Sequence, residues 1–307
     1  MYHLRQQQTN RLAALKAPGG GFTLIELLIT IVIISILASL SLAGMTGARQ
    51  RSKIDKTKST IRKLHEIVMP QYESYLSRRV LLPSGINDRI SIAKARLTRV
   101  RSLMVQELPD QWSDVGTAIA TLPPAATATR YANYMSRVSP VPGTSIYGGA
   151  ECLYMIVTRG GFAADALELF RNDEVSDINK NNAPEFNDGW GRPIAFIRWP
   201  SGYSSVIQQQ DFNVNPDPFD PMKVSGTGPT DLDYGLTPLI FSAGPDESTN
   251  DPTSGGNGYG IKTYGPWLKA TWSNDLLTTR QGSPFPGTRT TDDADKDNIT
   301  NHDLIAK

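Results

Sequence analysis

A single acid, Glu26, stands inside the run Phe22-Thr-Leu-Ile-Glu-Leu-Leu-Ile-Thr-Ile-Val-Ile-Ile-Ser-Ile-Leu-Ala-Ser-Leu-Ser-Leu-Ala-Gly-Met45, which carries no other charge. An ionised carboxylate near the middle of a hydrocarbon layer costs about 2.5–3.5 kcal/mol, so this one calls for compensation. The preceding residues are of another kind. Residues 1–21 hold Arg5, Arg11 and Lys16, no acid, and end in Pro18-Gly-Gly-Gly21, which a helix does not readily continue through. A second group of acids lies far downstream: Asp246, Glu247 and Asp251, then Asp292, Asp293, Asp295 and Asp297. Such residues suit either a solvated acidic tail or a hard cation such as calcium, which takes roughly six to eight oxygens from carboxylates and carbonyls.

The element that positions Glu26 is a helix. Residues 22–45 at 1.5 Å per residue span roughly 36 Å, enough for a bilayer core. An ordinary secretory signal places a short apolar core before its cleavage site; here the glycines come first and the apolar run is long, so cleavage at Gly21 keeps the helix. A plain membrane anchor would share the length but leave the acid unexplained. The stretch Gly21-Phe22-Thr23-Leu24-Ile25-Glu26-Leu27-Leu28 resembles the class III signal shared by type IV prepilins and type II secretion pseudopilins. The resemblance implies that a prepilin peptidase cuts between Gly21 and Phe22 and methylates the amino terminus of Phe22. It also implies that Glu26 is the assembly glutamate of a filament built with other pilin or pseudopilin subunits on an inner-membrane assembly platform. Where the family usually has a proline in the second half of the anchor, this chain has Ser39-Leu-Ser-Leu-Ala-Gly44.

Both flanks of the apolar run are basic, the downstream one through Arg49, Arg51, Lys53, Lys56, Lys58, Arg62 and Lys63, so loop charge assigns no orientation. A cytoplasmic leader, and with it a single-pass inner-membrane protein with its soluble part in the periplasm or exterior, is what the resemblance implies. The basic residues themselves suit a solvated helix face or contact with lipid headgroups.

Three segments follow: a leader at 1–21, a transmembrane or filament-core helix at 22–45, and a soluble domain at 46–307. From Arg49 to about Leu82, apolar residues at Ile54, Ile61, Leu64, Val68, Tyr72 and Tyr75 recur at helical spacing, which continues the anchor as an amphipathic helix with a kink at Pro70. Asp88 is placed to cap a second helix to about Glu107, with Ile92, Leu97, Val100 and Met104 inward and Pro109 ending it. Residues 116–147 read as an irregular connection or short helices, and 148–172 as two helical stretches around Cys152 and Leu167. Beyond Glu185 come short β-like runs at 194–199, 203–207, 239–242 and 260–264, divided by Gly, Pro, Asn and Asp. Helices first and strands later predict an α+β, pilin-like fold in which a small antiparallel sheet packs on the long helix, with extra helices.

A second resemblance lies in this half. Asn187-Asp-Gly-Trp-Gly-Arg-Pro193 and Phe241-Ser-Ala-Gly-Pro-Asp246 are similar to the Asp-x-Trp-Gly-x-Pro and Ser-x-Gly-x-Asp signatures of major pseudopilins. Major pseudopilins hold calcium between C-terminal loops, so the resemblance implies a calcium site drawing on Ser242, Asp246, Asp293, Asp295 and Asp297. Read locally, the glycines and Pro193 make a turn into a strand with Trp190 packed beneath.

The remaining residues exclude more than they suggest. The 307-residue chain has 31 basic and 30 acidic side chains, a formal charge of +1, which gives no sign of a nucleic-acid partner. One cysteine, Cys152, excludes an intramolecular disulfide and sits in an apolar stretch that suits a buried thiol. His3, His65 and His302 are scattered, and Met69 stands where a His65-Glu66 zinc-protease helix would need its second histidine. No nucleophile elbow or phosphate loop is present, so the chain reads as structural rather than enzymatic. The leading function is a pseudopilus subunit of type II secretion. A pilin of a type IV pilus is an alternative, as is a membrane-tethered binding module using residues 208–238 or 250–290.

Overall fold

The computed structural model describes residues 21–115, 131, 134, 138, 147–161, 165–211, 213–224, 234–245, 261, 286–289 and 296–306. The chain divides into two compact units, Met1–Arg49 and Gln50–Lys307. Helix α1, Leu24–Ser74, crosses the division.

In the first unit α1 is the apolar run, and it is the one helix among the described residues long and apolar enough to cross a membrane by length and composition. Its hydroxyls are hidden by the helix itself. Thr30 Oγ1 donates to the Leu27 carbonyl at 2.8 Å, Ser35 Oγ to Ile31 at 2.6 Å, Ser39 Oγ to Ile36 at 2.8 Å and Ser41 Oγ to Leu37 at 2.8 Å. Bonds back to the preceding turn leave each hydroxyl satisfied without water, which an apolar surrounding requires.

In the second unit the amphipathic spacing of α1 becomes burial: Ile61, Leu64, Val68 and Tyr72 are all in the core. Pro70 lies inside the helix, and the helix stops at Ser74, short of the expected end near Leu82. Its end tightens into i→i+3 bonds, Tyr75 N to Tyr72 O and Leu76 N to Glu73 O, while Ser74 and Ser77 hydroxyls take the carbonyls of Gln71 and Ser74. Those bonds compete with the α-helical ladder. Helix α2, Arg89–Glu107, begins where Asp88 accepts the Ser91 amide at 2.9 Å, and it buries Leu97, Val100 and Met104. Glu107 at its end clamps the end of α1, accepting both terminal nitrogens of Arg78 at 2.6 and 2.7 Å and the Tyr75 hydroxyl at 2.7 Å. A two-pronged guanidinium–carboxylate bond of this kind fixes orientation as well as distance.

Helix α3, Gly148–Arg159, buries Cys152 as a free thiol, and a 3-10 turn at Ala166–Leu169 supplies the second helical stretch. Strands β1 (Val175–Ser176) and β2 (Glu185–Phe186) pair antiparallel. Strands β3 (Ala195–Ile197), β4 (Leu239–Ser242) and β5 (Ile299–Thr300) form a three-stranded antiparallel sheet in that order, with Phe196 opposite Ile240 and Ser242 opposite Ile299. Both faces are covered. Phe196, Ile240 and Ile299 pack with Ile61, Leu64 and Val68 of α1, while Ala195, Ile197, Leu239 and Phe241 pack with Tyr203 and Ile261. Strands buried on both faces lose the alternation that marks a half-exposed strand. The α+β, pilin-like architecture with its sheet on the long helix is therefore realised.

Two strand expectations differ. Residues 203–207 are not a strand: the Gln208 amide donates to the carbonyls of Pro200 and Tyr203, both at 2.8 Å, and the Tyr203 amide turns back to Pro200. Their backbone groups are committed to a local turn before any neighbouring strand can claim them. Of residues 260–264 only Ile261 is described, bridged to Arg289; the others, like most of 116–147, lie outside the described residues. At the end of the chain, helix α4 (Asn301–Ile305) follows β5 directly. The side chain of Asn301 accepts the Ile240 amide at 2.9 Å and donates to the Pro238 carbonyl at 2.9 Å, prolonging the sheet's bonding by one side chain.

The basic stretch after the anchor has partners within the second unit. Lys56 meets Asp173 at 2.6 Å and Lys63 meets Glu174 at 3.0 Å, so a turn before β1 is pinned to α1 by charge.

Candidate functional site

Gly21, Phe22 and Thr23 precede α1 without regular structure and are exposed, as a peptide bond offered to a protease must be. The first turn of α1 then closes on itself. Glu26 Oε2 accepts the Thr23 amide at 2.9 Å and the Thr23 hydroxyl at 2.8 Å, and the Glu26 amide donates back to Thr23 Oγ1 at 3.2 Å. This is a capping box, which satisfies helix-terminal donors reciprocally. Sequence reasoning missed it, although the Thr-x-x-Glu spacing ahead of an apolar run was the signal. The carboxylate thus has two faces: Oε2 closes the helix, while Oε1 makes no hydrogen bond among the described residues. One oxygen remains for a cation from outside the chain.

The glycine-rich turn after β2 and the loop after β4 are joined. Asp188 Oδ1 accepts the amides of Trp190 at 2.8 Å and Arg192 at 2.9 Å, and its Oδ2 accepts the Ser242 hydroxyl at 2.7 Å. Ser242 Oγ in turn accepts the Gly244 amide at 3.1 Å, and Arg192 Nη1 donates to the Gly244 carbonyl at 3.1 Å. Burial pushes the Asp188 carboxyl above its ordinary range, against the pull of the Ser242 bond. The same turn seats on α1. The Gly189 amide donates to Thr57 Oγ1 at 2.9 Å, and a Cβ at Gly189 would lie 2.2 Å from the Lys53 carbonyl oxygen, a distance no side chain tolerates. Trp190 Nε1 reaches Gln50 at 3.4 Å, and its ring packs on the core. Gly191 has φ +82, a left-handed conformation that favours glycine.

For the expected calcium ligands the picture is partial. Gly244, at φ +78, packs so closely on Asp297 that a Cβ would lie 2.3 Å from the Asp297 carbonyl oxygen, so the loop after Ser242 and the segment before β5 adjoin. Ser242 directs its hydroxyl to Asp188. Asp246, Asp293 and Asp295 lie outside the described residues. Among the described residues no three His, Cys, Asp or Glu side chains are gathered so as to hold a metal by themselves.

Deeper in the second unit is a buried ionic cluster that the sequence did not signal. Arg198 meets Asp110 at 3.3 Å and Asp114 at 3.1 Å, and burial pushes Asp110 up to about 7 although Arg198 opposes the shift. It joins the end of β3 to the turn after α2 through buried charges.

Residues 20–42 match the family model of the prokaryotic N-terminal methylation motif. That match covers the signal and most of the apolar run, and it supports a chain of prepilin or pseudopilin type. No curated protein and no solved structure matches the chain.

Proposed function

From a chain of prepilin type, we propose a structural subunit of a type II secretion pseudopilus. A prepilin peptidase cuts it between Gly21 and Phe22 and methylates Phe22, and the free Oε1 of Glu26 then receives the amino-terminal charge of an adjoining subunit. Pairing lowers the cost of holding each charge in apolar surroundings and penalises registers that leave one alone. The chain sits in the inner membrane as a single pass, its second unit on the periplasmic side, until the assembly platform draws it into the filament. It acts as a building element and not as an enzyme.

The observation that carries this reading is the coincidence of the methylation motif with an apolar helix whose large side chains, from Leu24 to Met45, stay exposed within the chain. What favours secretion over a type IV pilus is the bond between Asp188 and Ser242, since it unites the two segments similar to major-pseudopilin signatures. We also propose calcium at the C-terminal acids, held by the Asp246 loop with Asp293, Asp295 and Asp297; the support is the packing of Gly244 on Asp297.

Two measurements test the reading. Amino-terminal mass spectrometry of membrane-extracted protein is expected to give N-methyl-phenylalanine at Phe22; a mature start beyond Ala43 overturns the prepilin assignment. Deleting the gene is expected to stop release of folded proteins to the medium while leaving surface motility and adhesion intact. The opposite pattern makes the chain a pilus pilin.

A further inference from the structure

The loop joining β1 to β2 reads Asp177-Ile-Asn179-Lys-Asn181-Asn182-Ala-Pro-Glu185, with oxygen-bearing side chains at 177, 179 and 181. Those oxygens accept amides of the loop's own backbone. Asp177 Oδ1 accepts the Asn181 amide at 3.1 Å and Oδ2 accepts the Asn182 amide at 2.8 Å. Asn179 Oδ1 accepts the Asn181 amide at 3.3 Å, and Asn181 Oδ1 accepts the Ala183 amide at 2.8 Å. Lys180 and Asn182 have φ of 58 and 67, so the loop is paid for in backbone conformation that asparagine tolerates better than most. Because the amide oxygens face backbone donors, the amide nitrogens point elsewhere. Both reach Glu151 Oε1 on α3, Asn179 Nδ2 at 2.7 Å and Asn181 Nδ2 at 2.9 Å, and Trp112 Nε1 donates to Glu151 Oε2. Glu151 therefore orients the two amides, as outer carboxylates do around metals.

What points to a ligand is Glu185. Its side chain is fully buried, and Oε2 accepts the Ile178 amide at 3.1 Å, which turns the carboxyl toward the loop. Oε1 has no hydrogen-bond partner, and no Lys, Arg or His pairs with Asp177 or Glu185 among the described residues. Beside this oxygen-rich loop stands a buried carboxyl with one orphaned oxygen and no cation paired to it, an arrangement that is costly as it stands.

We propose that this loop binds calcium, with Asp177, Asn179, Asn181 and Glu185 as side-chain ligands and Glu151 as the positioning residue for the two amides. The donors are all oxygen, mixed between carboxylate and amide, on a loop; calcium accepts such sets with carbonyls and water completing six to eight ligands, whereas zinc prefers nitrogen and sulfur and magnesium a strict octahedron. Side-chain oxygens at alternate positions followed by a left-handed residue also match the start of a calcium loop, Asn182 standing where glycine is usual. The twelfth position, Asp188, is engaged by Trp190, Arg192 and Ser242, so Glu185 is the closing acid. Its proposed ligands share no residue with the C-terminal acids.

The test uses the full chain in detergent, with terbium as a luminescent substitute for calcium excited through Trp112, and calcium stoichiometry by equilibrium dialysis. Terbium emission that calcium displaces is expected, with affinity for both ions falling at least tenfold in Glu185→Gln and in Asn179→Ala. In a chain that also carries Asp246→Asn, Asp293→Asn and Asp295→Asn, terbium emission is expected to persist and still to depend on Glu185 and Asn179. Asn179 is exposed, so its variant keeps the test sound should Glu185→Gln lose its fold by circular dichroism. No binding by the wild type, or unchanged affinity in the folded variants, overturns the proposal. So does a terbium signal that disappears only in the combined C-terminal variant.

Discussion

Helix α1 holds two stretches that contrast in burial. Between Leu24 and Met45 it is the most apolar part of the chain, yet Leu37 is 59% exposed and Leu40 66% exposed. Between Ile54 and Tyr72 it is mostly polar, with the charged pairs Lys56–Asp173 and Lys63–Glu174 on its flank, yet Ile61, Leu64 and Val68 have no exposed surface. Hydrophobicity alone therefore does not say where a residue is buried within a chain. The apolar stretch is built for burial in surroundings the chain does not supply, lipid or the helices of other subunits. The amphipathic stretch is built for burial by the chain's own sheet.

Mutations can break this comparison from either side. The largest effect is expected for Glu26→Gln, which keeps size and capping geometry but removes the charge: peptidase cleavage and membrane insertion continue while filament yield falls to background. Expression with the assembly machinery, comparing amino-terminal processing with sheared filament, reads the result; wild-type filament yield would reduce Glu26 to a helix cap.

Leu64→Ala is expected to cost the second unit about 2–5 kcal/mol, because a buried leucine leaves a cavity. Leu37→Ala should leave the chemical unfolding of that unit unchanged and weaken filaments instead. Equal loss of stability in both variants would erase the distinction drawn between the two stretches.

Gly189→Ala places a methyl against the Lys53 carbonyl, so a loss of about 1–3 kcal/mol is expected from overpacking, with the turn lifted from α1. Urea unfolding measures the loss, and Trp190 fluorescence reports the lifting. A neutral effect would show that the turn adjusts without leaving the helix.

A pH effect of similar size centres on His302. Burial holds its imidazole down to about 4, with Nε2 facing the carbonyls of Thr237 and Pro238 and Nδ1 facing the Ser205 hydroxyl. Those carbonyls place a proton on Nε2, and burial is what keeps the ring neutral. The unfolded chain takes up a second proton near pH 6.5 and the folded chain only near 4, so stability falls as pH drops through that window, by up to roughly 3 kcal/mol. Asp110 and Glu185, raised by burial, act in the opposite sense. The informative quantity is therefore the wild-type stability minus that of His302→Gln, from urea midpoints at pH 7 and 4.5. An equal pH dependence in both proteins would dismiss the buried histidine as a cause.

Thr23→Ala should have the smallest effect, about 1 kcal/mol of local helix stability, from loss of the capping box. Faster amide exchange confined to the first turn of α1 in micelles is the expected signature.

Much of this was readable from residue order alone. The signal at Gly21, Phe22 and Glu26, the long helix, the cap at Asp88, the helix to Glu107 and the strand Leu239–Ser242 all declare themselves through local spacing and composition. Local chemistry governs such features: a cap acts over three residues and a helix face repeats within seven. What local spacing does not hold is pairing across the chain. The two-residue strands at 175–176, 185–186 and 299–300 exist only because partners lie opposite them, and residues 203–207, strand-like in composition, were claimed by Gln208. The bond from Asp188 to Ser242, and the meeting of Glu185 with the Ile178 amide and of Glu151 with Asn179 and Asn181, join residues that only the folded chain brings within 3 Å or so of one another. Sequence by itself determined the class of the protein, because a basic glycine-ended leader, a lone acid and an apolar helix are consecutive. Tertiary structure decided which carboxylate oxygens are held by donors and which are left without one, because those donors come from distant parts of the chain.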